Sequence, residues 1–390
     1  MAKQARVEVE YTGDGKAHIA DKYFTSNPPY NQRKVPKHFY NRFLRSNPQF
    51  KLLGSESGGE GVDIGVLVPN QKQRYRQRWA NMFPRLSSMV HTEVKSSLRR
   101  SQWRGRVKRS DLVWTDGSVG KKSRRAFLRR TDVPLVVTLR GLFWQTSATE
   151  AFKRRYWELL DIAEAVVLLS KGCKQALVAR RPELSGKLYV IPNGVPLVDD
   201  TMPRFLDSSS TKGPLQLLTV TNFAFPRKVK GVRQVLRQLS FLDRDVFSEL
   251  NVVGNNPEQA KKGLLSDLED RDDRFVVHGE IPRQGLLSLM RDSDLFAYGS
   301  YKDCQPSVLM EAMATGLPVV ASDNLGFDTF VPREAGYIVP FSKIPTKVEK
   351  LRYDTERLGE LSAGAKKTAR NTYSWDKVAD RYEEVFREVI

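Results

Sequence analysis

The chain has 390 residues, of which 40% are hydrophobic, and it carries a formal net charge of +19 at pH 7. This length is long for one compact domain and comfortable for two. The sequence has no apolar run near the roughly 20 residues that span a bilayer and no charged-then-apolar leader at its start, so we expect a cytoplasmic protein. Its two cysteines and four histidines are too few for a disulfide framework or a cysteine metal site.

The positive charge is confined to the first half of the chain. Residues 1–195 contain 37 Lys and Arg against 16 Asp and Glu, whereas the remaining residues contain 27 against 29. A field of this sign attracts polyanions and weakens with salt, so we expect the first half to face an acidic membrane, an anionic glycan or a nucleic acid. A basic surface that only keeps the protein in solution is the alternative.

The first predicted elements are strands. Residues 5–10, ARVEVE, alternate polar and apolar side chains and predict a strand. The segment VDIGVLVPN, which starts at Val62, predicts a buried strand.

A basic and aromatic stretch follows over residues 71–109. Arginines and aromatic residues are interleaved there: Arg74, Arg76, Arg78, Arg85, Arg99, Arg100, Arg104 and Arg106 with Tyr75, Trp79, Phe83 and Trp103. Such a mixture along a helix fits a membrane interface, where rings sit at the level of the lipid headgroups. It also fits single-stranded nucleic acid, where bases stack on the rings. A third interpretation buries the rings and turns the arginines to solvent.

Short apolar runs closed by turns then recur, as parallel strands of an α/β sheet should. They are DLVWTDG with Asp116 near its end, PLVVTLRG from Pro134, AEAVVLLS ending at Ser170, and KLYVIPNGV ending at Val195. A basic helix, KKSRRAFLRR, lies between the first two, and another helix starts at Ser170. The Pro-, Ser- and Asp-rich residues 196–212 predict a linker.

The second half repeats the alternation of strands and helices. LQLLTVTNFAFPRKVKGVRQVLRQL predicts a strand, a loop and a helix, LNVVGN and FVVHGE predict strands near Gly254 and Gly279, and LLSLMRDSDLFAYGS predicts a helix. The last residues, 373–390, have the period of an amphipathic helix.

The most informative stretch is DCQPSVLMEAMATGLPVVAS, from Asp303 to Ser322. It predicts an acidic loop, a short helix with Glu311 in its first turns, a tight turn at Gly316 and Pro318, and a buried strand. A helix N-terminus offers free N–H groups and a partial positive charge, so with a carboxylate one turn inside it can hold a nucleotide sugar. A surface glutamate on an ordinary helix is the alternative.

This stretch resembles a known signature. Asp303 and Glu311 are separated by seven residues, and with EAMATGLPVVAS they resemble the E-x7-E motif of retaining GT-B glycosyltransferases of family 4. The first acid is Asp rather than Glu, and CQPS replaces the usual GFG segment. The resemblance implies an α/β GT-B fold with two Rossmann-like domains, residues 1–195 and 213–372, that face a cleft. Residues 373–390 would form a helix that crosses back onto the first domain.

The resemblance also implies roles for donor-side residues. Glu311 would bind the ribose, Asp303 would contact the sugar hydroxyls, and Lys230 would stabilise the charge on the departing diphosphate. Further implied donor-binding residues are Asn222, Arg227, Lys228, Gly254, Gly279, Ser307, Val308 and Gly326. Because Asn222 occupies the family's arginine position, Arg227 or Lys228, on the loop after the strand, would substitute, or the diphosphate is held differently.

On the acceptor side the resemblance implies a second group of residues. Arg140 stands where the family often has histidine, and its guanidinium cannot act as a general base but can bind a phosphate or hydroxyl. The other expected acceptor-side residues are Asp116, Arg74, Arg78 and Trp79.

The resemblance implies transfer of a sugar from a nucleoside diphosphate sugar to an acceptor hydroxyl with retention of configuration. No cofactor is expected beyond this donor substrate, and no D-x-D motif lies in a convincing loop before the donor region, so a catalytic metal is not implied. We expect the acceptor to be a lipid-linked or envelope glycan at an anionic membrane surface, which the protein would bind peripherally at the inner face. Two alternatives are a glycosyltransferase acting on nucleic acid and a catalytically silent GT-B binding protein.

Overall fold

The computed structural model describes residues 8–11, 17–20, 62–68, 82, 85–86, 89–95, 99–115, 122–145, 148–198, 213–223, 226–255, 272–301, 303–323 and 330–390. The chain divides into two compact units, Met1–Phe50 and Lys51–Ile390.

The first unit contains a β-hairpin. Strand β1, Glu8–Tyr11, pairs antiparallel with strand β2, Ala17–Ala20. The strand predicted from ARVEVE is therefore confirmed for its second half. It belongs to a two-stranded sheet of its own and is not the first strand of a Rossmann-like sheet.

The second unit begins with a six-stranded parallel sheet. Its strands are Val62–Val68 (β3), Met89–Lys95 (β4), Leu112–Thr115 (β5), Leu135–Leu139 (β6), Ala165–Leu168 (β7) and Leu188–Val190 (β8), in the order β4-β3-β5-β6-β7-β8. The helices described with it are Arg100–Lys108 (α1), Lys122–Leu128 (α2), Glu150–Ile162 (α3) and Lys171–Val178 (α4). All residues of β5, β6 and β7 are buried, as expected for parallel strands that are covered on both faces.

Strand β4 corrects the prediction for the basic and aromatic stretch. The membrane interpretation placed the basic and aromatic residues along a helix, but within this stretch MVHTEVK forms an edge strand that pairs with β3 over its full length. Its β-branched residues at alternate positions suit a strand, and it lacks the continuous apolar run that identified the central strands. Only α1, at the end of the stretch, is a described helix of regular length there.

The arginines and rings of this region pack on each other. Trp103 is only 2% exposed, and the guanidinium of Arg124 lies 5.0 Å from the centroid of its ring. The guanidinium of Arg104 lies equally close, at 5.0 Å, to the ring of Phe127. The interpretation with buried rings is confirmed for Trp103, whereas the other three aromatic residues of the stretch lie outside the described residues.

The second sheet is also parallel and six-stranded. Its strands are Leu215–Asn222 (β9), Phe247–Asn255 (β10), Phe275–His278 (β11), Leu295–Tyr298 (β12), Val319–Ser322 (β13) and Gly336–Val339 (β14), in the order β11-β10-β9-β12-β13-β14. The helices described with it are Pro226–Leu239 (α5), Arg283–Asp292 (α6), Ser307–Ala314 (α7), Ile344–Tyr353 (α8) and Thr355–Thr368 (α9). This is the doubly wound Rossmann order, in which ligands bind beyond the carboxyl ends of the strands where the order reverses, here between β9 and β12.

Strand β12 was predicted as part of a helix. Helix α6 ends at Asp292, and the next residues turn into the sheet because Asp294 is held by β9. The Asp294 carboxylate accepts from the backbone N–H of Gln216 at 2.7 Å, and the backbone N–H of Asp294 donates to the Gln216 carbonyl at the same distance. The residues LFAY that follow are fully buried.

The last helix, Trp375–Val389 (α10), confirms the expected crossing back to the first sheet. Its apolar face, which includes Tyr382 and Phe386, belongs to one core with residues of β3, β5, β6 and β7. The Tyr382 hydroxyl lies 3.0 Å from the hydroxyl of Thr138 on β6, which also accepts from Trp114 Nε1 at 3.0 Å. Among the described residues, no helix combines the length and the apolar character needed to cross a membrane.

Candidate active site

Helix α7 carries the predicted carboxylate. Its N-cap residue is Pro306, and its first hydrogen bond runs from the Leu309 amide to the Pro306 carbonyl at 3.2 Å. The amides of Ser307 and Val308 precede that bond, so they are the helix's free N-terminal donors. Glu311 lies one turn inside. The predicted turn after the helix is confirmed at Gly316, whose φ of +78° is the left-handed conformation that glycine adopts without strain.

Glu311 is paired with an arginine from the neighbouring helix. Arg283 Nη1 lies 3.2 Å from Glu311 Oε1, and the two side chains are 26% and 21% exposed. Arg283 is the first residue of α6 and Glu311 is the fifth of the eight residues of α7, so the pair joins the start of one helix to the middle of the other. The carboxylate is thereby held at the carboxyl end of the second sheet.

Lys230 lies on α5 at the switch point between β9 and β12. Its ammonium is 5.2 Å from the centroid of the Tyr301 ring, which stacks on Phe341 at 5.0 Å. Gly231 makes this approach possible: a Cβ at that position would lie 2.6 Å from the carbonyl oxygen of Gly299. The helix therefore packs directly on the backbone that follows β12, and this places an exposed cation where the sheet order reverses.

Asp303 lies in the loop between β12 and α7, beside Tyr298. The Tyr298 hydroxyl donates a hydrogen bond to the Asp303 carboxylate, and burial together with this negative charge raises the pKa of the tyrosine well above its ordinary value. Tyr298 stays protonated as a result, and it fixes the carboxylate from the end of the strand.

The same loop touches the first domain. Gln305 Oε1 accepts a hydrogen bond from the backbone N–H of Asn193 at 2.7 Å, and the Asn193 side chain accepts one from Arg140. Arg140 follows β6 and Asn193 follows β8, so the carboxyl ends of both sheets face each other through this contact. Gln305 is 6% exposed, and its Nε2 has no hydrogen-bond partner among the described residues.

The other predicted donor-binding residues lie at or near the same edge. Asn222 ends β9, Gly279 follows β11, and Ser307 begins α7. Gly254 is buried within β10, where a Cβ would collide with the Thr221 carbonyl, so strand packing alone requires glycine there.

The prediction for Arg227 and Lys228 is corrected in one respect. Both were expected on a loop after β9, but α5 begins at Pro226, so both lie in its first turn. Proline at the first position of a helix explains why this start precedes the lysine and glycine that follow.

Several predicted site residues lie outside the described residues. They are Asp116 and Gly326, together with the acceptor-side residues Arg74, Arg78 and Trp79. Their roles stay predictions.

The sequence did not indicate four residues of this site: Arg283, Tyr298, Tyr301 and Gln305. Tyr298 and Tyr301 lie just before the segment Asp303–Ser322, and Gln305 lies inside it. Proximity to that segment was therefore the available signal for these three residues. Arg283 has no such signal, because it lies 28 residues before Glu311 on a different helix.

Taken together, the site offers amide donors, a fixed carboxylate and a cation at one sheet edge. Such a set can bind the phosphates and the ribose of a nucleotide and can stabilise negative charge on a departing diphosphate. The described residues contain no group of three or more His, Cys, Asp or Glu side chains arranged to hold a metal ion.

Two family models match the chain. Residues 53–198 match the model described as Glycosyltransferase Family 4, and residues 214–352 match the model described as Glycosyl transferases group 1. The first match covers all strands of the first sheet, and the second covers all strands of the second sheet together with Lys230, Asp303 and Glu311.

Curated relatives match over parts of their length. The N-acetyl-alpha-D-glucosaminyl L-malate synthase of Bacillus anthracis is 25% identical over 45% of this chain and 45% of its own. The phosphatidyl-myo-inositol mannosyltransferase of Mycobacterium leprae is 30% identical over 36% of this chain and 38% of its own. A D-inositol 3-phosphate glycosyltransferase of Xylanimonas cellulosilytica is 29% identical over 70% of each chain. The match thus spans less than half of the first two relatives.

Solved structures share the fold over most of the chain. A glycosyltransferase from Rickettsia africae superposes with a TM-score of 0.65 at 16% identity, over 85% of this chain and 99% of that one. Anabaena Alr3699/HepE in complex with UDP-glucose superposes with a TM-score of 0.60 at 15% identity, over 84% of this chain and all of that one (100%). With both family models on the two facing Rossmann-like domains, the chain belongs to the group 1, family 4-like glycosyltransferases of GT-B fold.

Proposed function

We propose that this glycosyltransferase takes a sugar from a nucleoside diphosphate sugar and transfers it, with retention of configuration, to an anionic acceptor at a membrane surface. The observation that supports a nucleoside diphosphate sugar as the donor is the position of Glu311. Its carboxylate lies one turn inside a helix whose first amides make no backbone hydrogen bond to the described residues, and Arg283 pairs with it there. The complex of HepE with UDP-glucose supports a donor of this class.

The donor would be held by charge and by amides. The Ser307 and Val308 amides would donate to the diphosphate, Lys230 would face its developing negative charge, and Glu311 would accept from the ribose hydroxyls. Asp303 would accept from the sugar hydroxyls, and the buried Nε2 of Gln305 would donate to a sugar oxygen, which would satisfy that amide. In this proposal the protein's own cations neutralise the leaving group without a metal.

The residue at position 140 limits which group can accept the proton of the acceptor hydroxyl. A guanidinium does not accept a proton at neutral pH, so Arg140 cannot be the base that activates the acceptor hydroxyl. We therefore assign that proton to an oxygen of the departing phosphate, which lies on the same face of the sugar as the incoming hydroxyl. Attack from that face gives retention.

Helices α1 and α2 support an anionic partner. They pack on each other through Arg104 and Arg124, and neither contains an acidic residue. Their exposed basic residues are Arg100, Lys108, Lys122 and, directly after the helices, Arg109, Arg129 and Arg130. Because Trp103 is buried, it is not available to stack on nucleic-acid bases, and this favours acidic lipid over single-stranded nucleic acid.

The proposed use of this donor is tested by product analysis. Purified protein is incubated with UDP-, GDP- and ADP-sugars, release of the nucleoside diphosphate is measured, and the anomer of the first-formed sugar product is assigned by proton NMR. We expect release with one nucleotide class, a product of unchanged anomeric configuration, and loss of release in Glu311→Ala. An inverted product would overturn the retaining mechanism, and release that is unaffected by Glu311→Ala would overturn the site.

The proposed binding to an anionic membrane surface is tested separately by vesicle flotation. Vesicles with acidic phospholipid should float the protein at low salt and release it as salt rises, whereas zwitterionic vesicles should not. The variant Arg129→Gln/Arg130→Gln should float less, and Lys350→Gln/Lys367→Gln, exposed lysines of the second domain, should float like the wild type. Equal flotation with both lipids, or tighter binding to single-stranded DNA, would contradict this proposal.

A further inference from the structure

The chain's two cysteines meet between the two Rossmann-like domains. Cys173 lies in the first turn of α4 in the first domain, and Cys304 directly follows Asp303 in the second. Cys304 packs against the buried core cluster that contains Cys173, and each thiol shifts the pKa of the other through hydrogen bonding. Cys304 also contacts the backbone of Leu142.

No other thiol competes with this pair, since the sequence contains two cysteines in all. They are 131 positions apart and belong to different sheets, so chain proximity does not account for the contact. The only two thiols of a 390-residue chain therefore lie together, next to the loop of the candidate active site.

We propose that Cys173 and Cys304 are a redox modification site, which a small hydroperoxide converts reversibly into a disulfide between the two domains. The inference uses neither the donor nor the acceptor of the proposed function, and it holds independently of them.

The surroundings shift the pKa values of the two thiols in opposite directions. The hydrogen bond from Cys304 lowers the pKa of Cys173 and the Ser170 hydroxyl adds to this effect, while burial and the charge of Asp303 partly oppose it. The Cys173 backbone N–H donates to the Ser170 hydroxyl at 3.2 Å, so the cysteine sits at the positive end of α4, which also favours a thiolate. The contact with Cys173 and burial raise the pKa of Cys304, so this thiol keeps its proton.

The oxidation takes place in two steps. The Cys173 thiolate attacks one peroxide oxygen, the O–O bond breaks, and the released hydroxide takes a proton to give water and a sulfenic acid at Cys173. The Cys304 sulfur then loses its proton and attacks the Cys173 sulfur, the S–O bond breaks, and a second water leaves. Two thiols are oxidised to one disulfide, and one hydroperoxide is reduced.

The burial of the two thiols limits which molecules can react with them. Cys173 is 3% exposed and Cys304 is partly exposed, so only a small oxidant that enters beside Cys304 would reach Cys173, and a second protein's thiol would not. A disulfide needs the sulfur atoms about 2.05 Å apart, so its formation would draw the two thiols closer together. The bond would tie the segment of Asp303 to the first domain.

The test uses the full-length protein and a covalent readout. After treatment with hydrogen peroxide, remaining thiols are alkylated, and intact mass and peptide mapping are measured with and without reducing agent. We expect loss of both alkylation sites, a mass lower by two hydrogens, a Cys173–Cys304 linked peptide in the monomer, and full reversal by dithiothreitol. The oxidised protein should also unfold at a higher urea concentration than the reduced one.

Two single variants test the separate role of each cysteine. In Cys304→Ser, Cys173 should stop at the sulfenic acid and be trapped by dimedone; in Cys173→Ser, Cys304 should remain a thiol under the same conditions. Thiols that resist peroxide in the wild type, oxidation of each cysteine to its sulfinic acid, or a disulfide between two copies of the chain would each overturn the proposal. These readouts need no sugar transfer, so their failure is distinguishable from failure of the proposed function.

Discussion

Arg283 Nη1 lies 3.2 Å from Glu311 Oε1, and this ion pair links the first residue of α6 to the second turn of α7. Both side chains are mostly buried, so solvent screens the pair less than a surface pair. The ion pair with Arg283 restricts the rotamers of Glu311, so the second carboxylate oxygen keeps a defined orientation. We infer that Arg283 is a positioning residue for nucleotide binding.

The first prediction concerns this pair. Arg283→Ala should weaken binding of the preferred nucleoside diphosphate roughly three- to tenfold, because the carboxylate loses its orienting partner but keeps its charge. Arg283→Lys should recover part of the affinity. Isothermal titration calorimetry measures both variants, with Arg291→Ala at the far end of the same helix as the control. Unchanged affinity in Arg283→Ala would show that the pair does not position Glu311.

The second prediction concerns Lys230. Lys230→Ala should lower kcat by about 10²- to 10³-fold, because the cation acts on charge that develops as the diphosphate leaves, while the affinity for the intact donor changes less. Lys230→Arg should retain more activity than Lys230→Ala. Steady-state kinetics separate the two effects, and Arg237→Ala, near the other end of α5, should behave like the wild type. A change confined to KM would assign Lys230 to ground-state binding instead.

The third prediction concerns the crossing helix. Tyr382→Phe removes the hydroxyl that meets Thr138 inside the core, and we expect the free energy of unfolding to fall by about 1–2 kcal/mol. The matched control is Tyr353→Phe, which removes an exposed hydrogen bond to Asp245 and should change stability by less than about 0.5 kcal/mol. Urea unfolding measures both. Equal effects of the two substitutions would mean that the buried network does not stabilise the crossing.

The fourth prediction is a pH dependence at the end of the same helix. The Tyr189 hydroxyl donates to Glu388 Oε1 at 2.6 Å, and this hydrogen bond, with a smaller effect of burial, raises the pKa of Tyr189 to about 12. The unfolded tyrosine has a pKa of about 10. Between these values the folded state keeps a proton that the unfolded state has lost, so the stabilisation is complete below pH 10 and disappears as the pH rises to about 12.

Unfolding midpoints of the wild type and Tyr189→Phe from pH 8 to pH 12 test this sign. The wild-type midpoint should decline relative to that of the variant as the pH rises above about 10. Parallel curves would contradict the role assigned to the Tyr189–Glu388 hydrogen bond.

The sequence predicted those parts of the fold that depend on neighbouring residues. Buried runs such as LVVTL and VVAS identified central strands, and the helix with Glu311 and the turn at Gly316 were confirmed where they were expected. Strand β4 was missed because an edge strand with polar residues between its β-branched ones does not form an apolar run. Strand β12 was missed because the periodicity of α6 continues into LFAY, and Asp294 breaks the helix only through its hydrogen bonds to β9.

The site was predictable in its motif and not in its contacts. Glu311 and Asp303 stood out by spacing, but the partners that hold them come from elsewhere in the chain. Gln305 meets Asn193 across 112 positions, and Cys304 meets Cys173 across the two sheets. Such pairings depend on how the two domains dock, which no local pattern encodes.

The most direct test of the central claim is the binding of nucleoside diphosphates to the wild type and to Glu311→Ala, measured by isothermal titration calorimetry. We expect one of UDP, GDP and ADP to bind the wild type, and we expect Glu311→Ala to weaken this binding at least 100-fold while Glu356→Ala, at an exposed acid of the same domain, leaves it unchanged. Equal binding by the wild type and Glu311→Ala would contradict this claim.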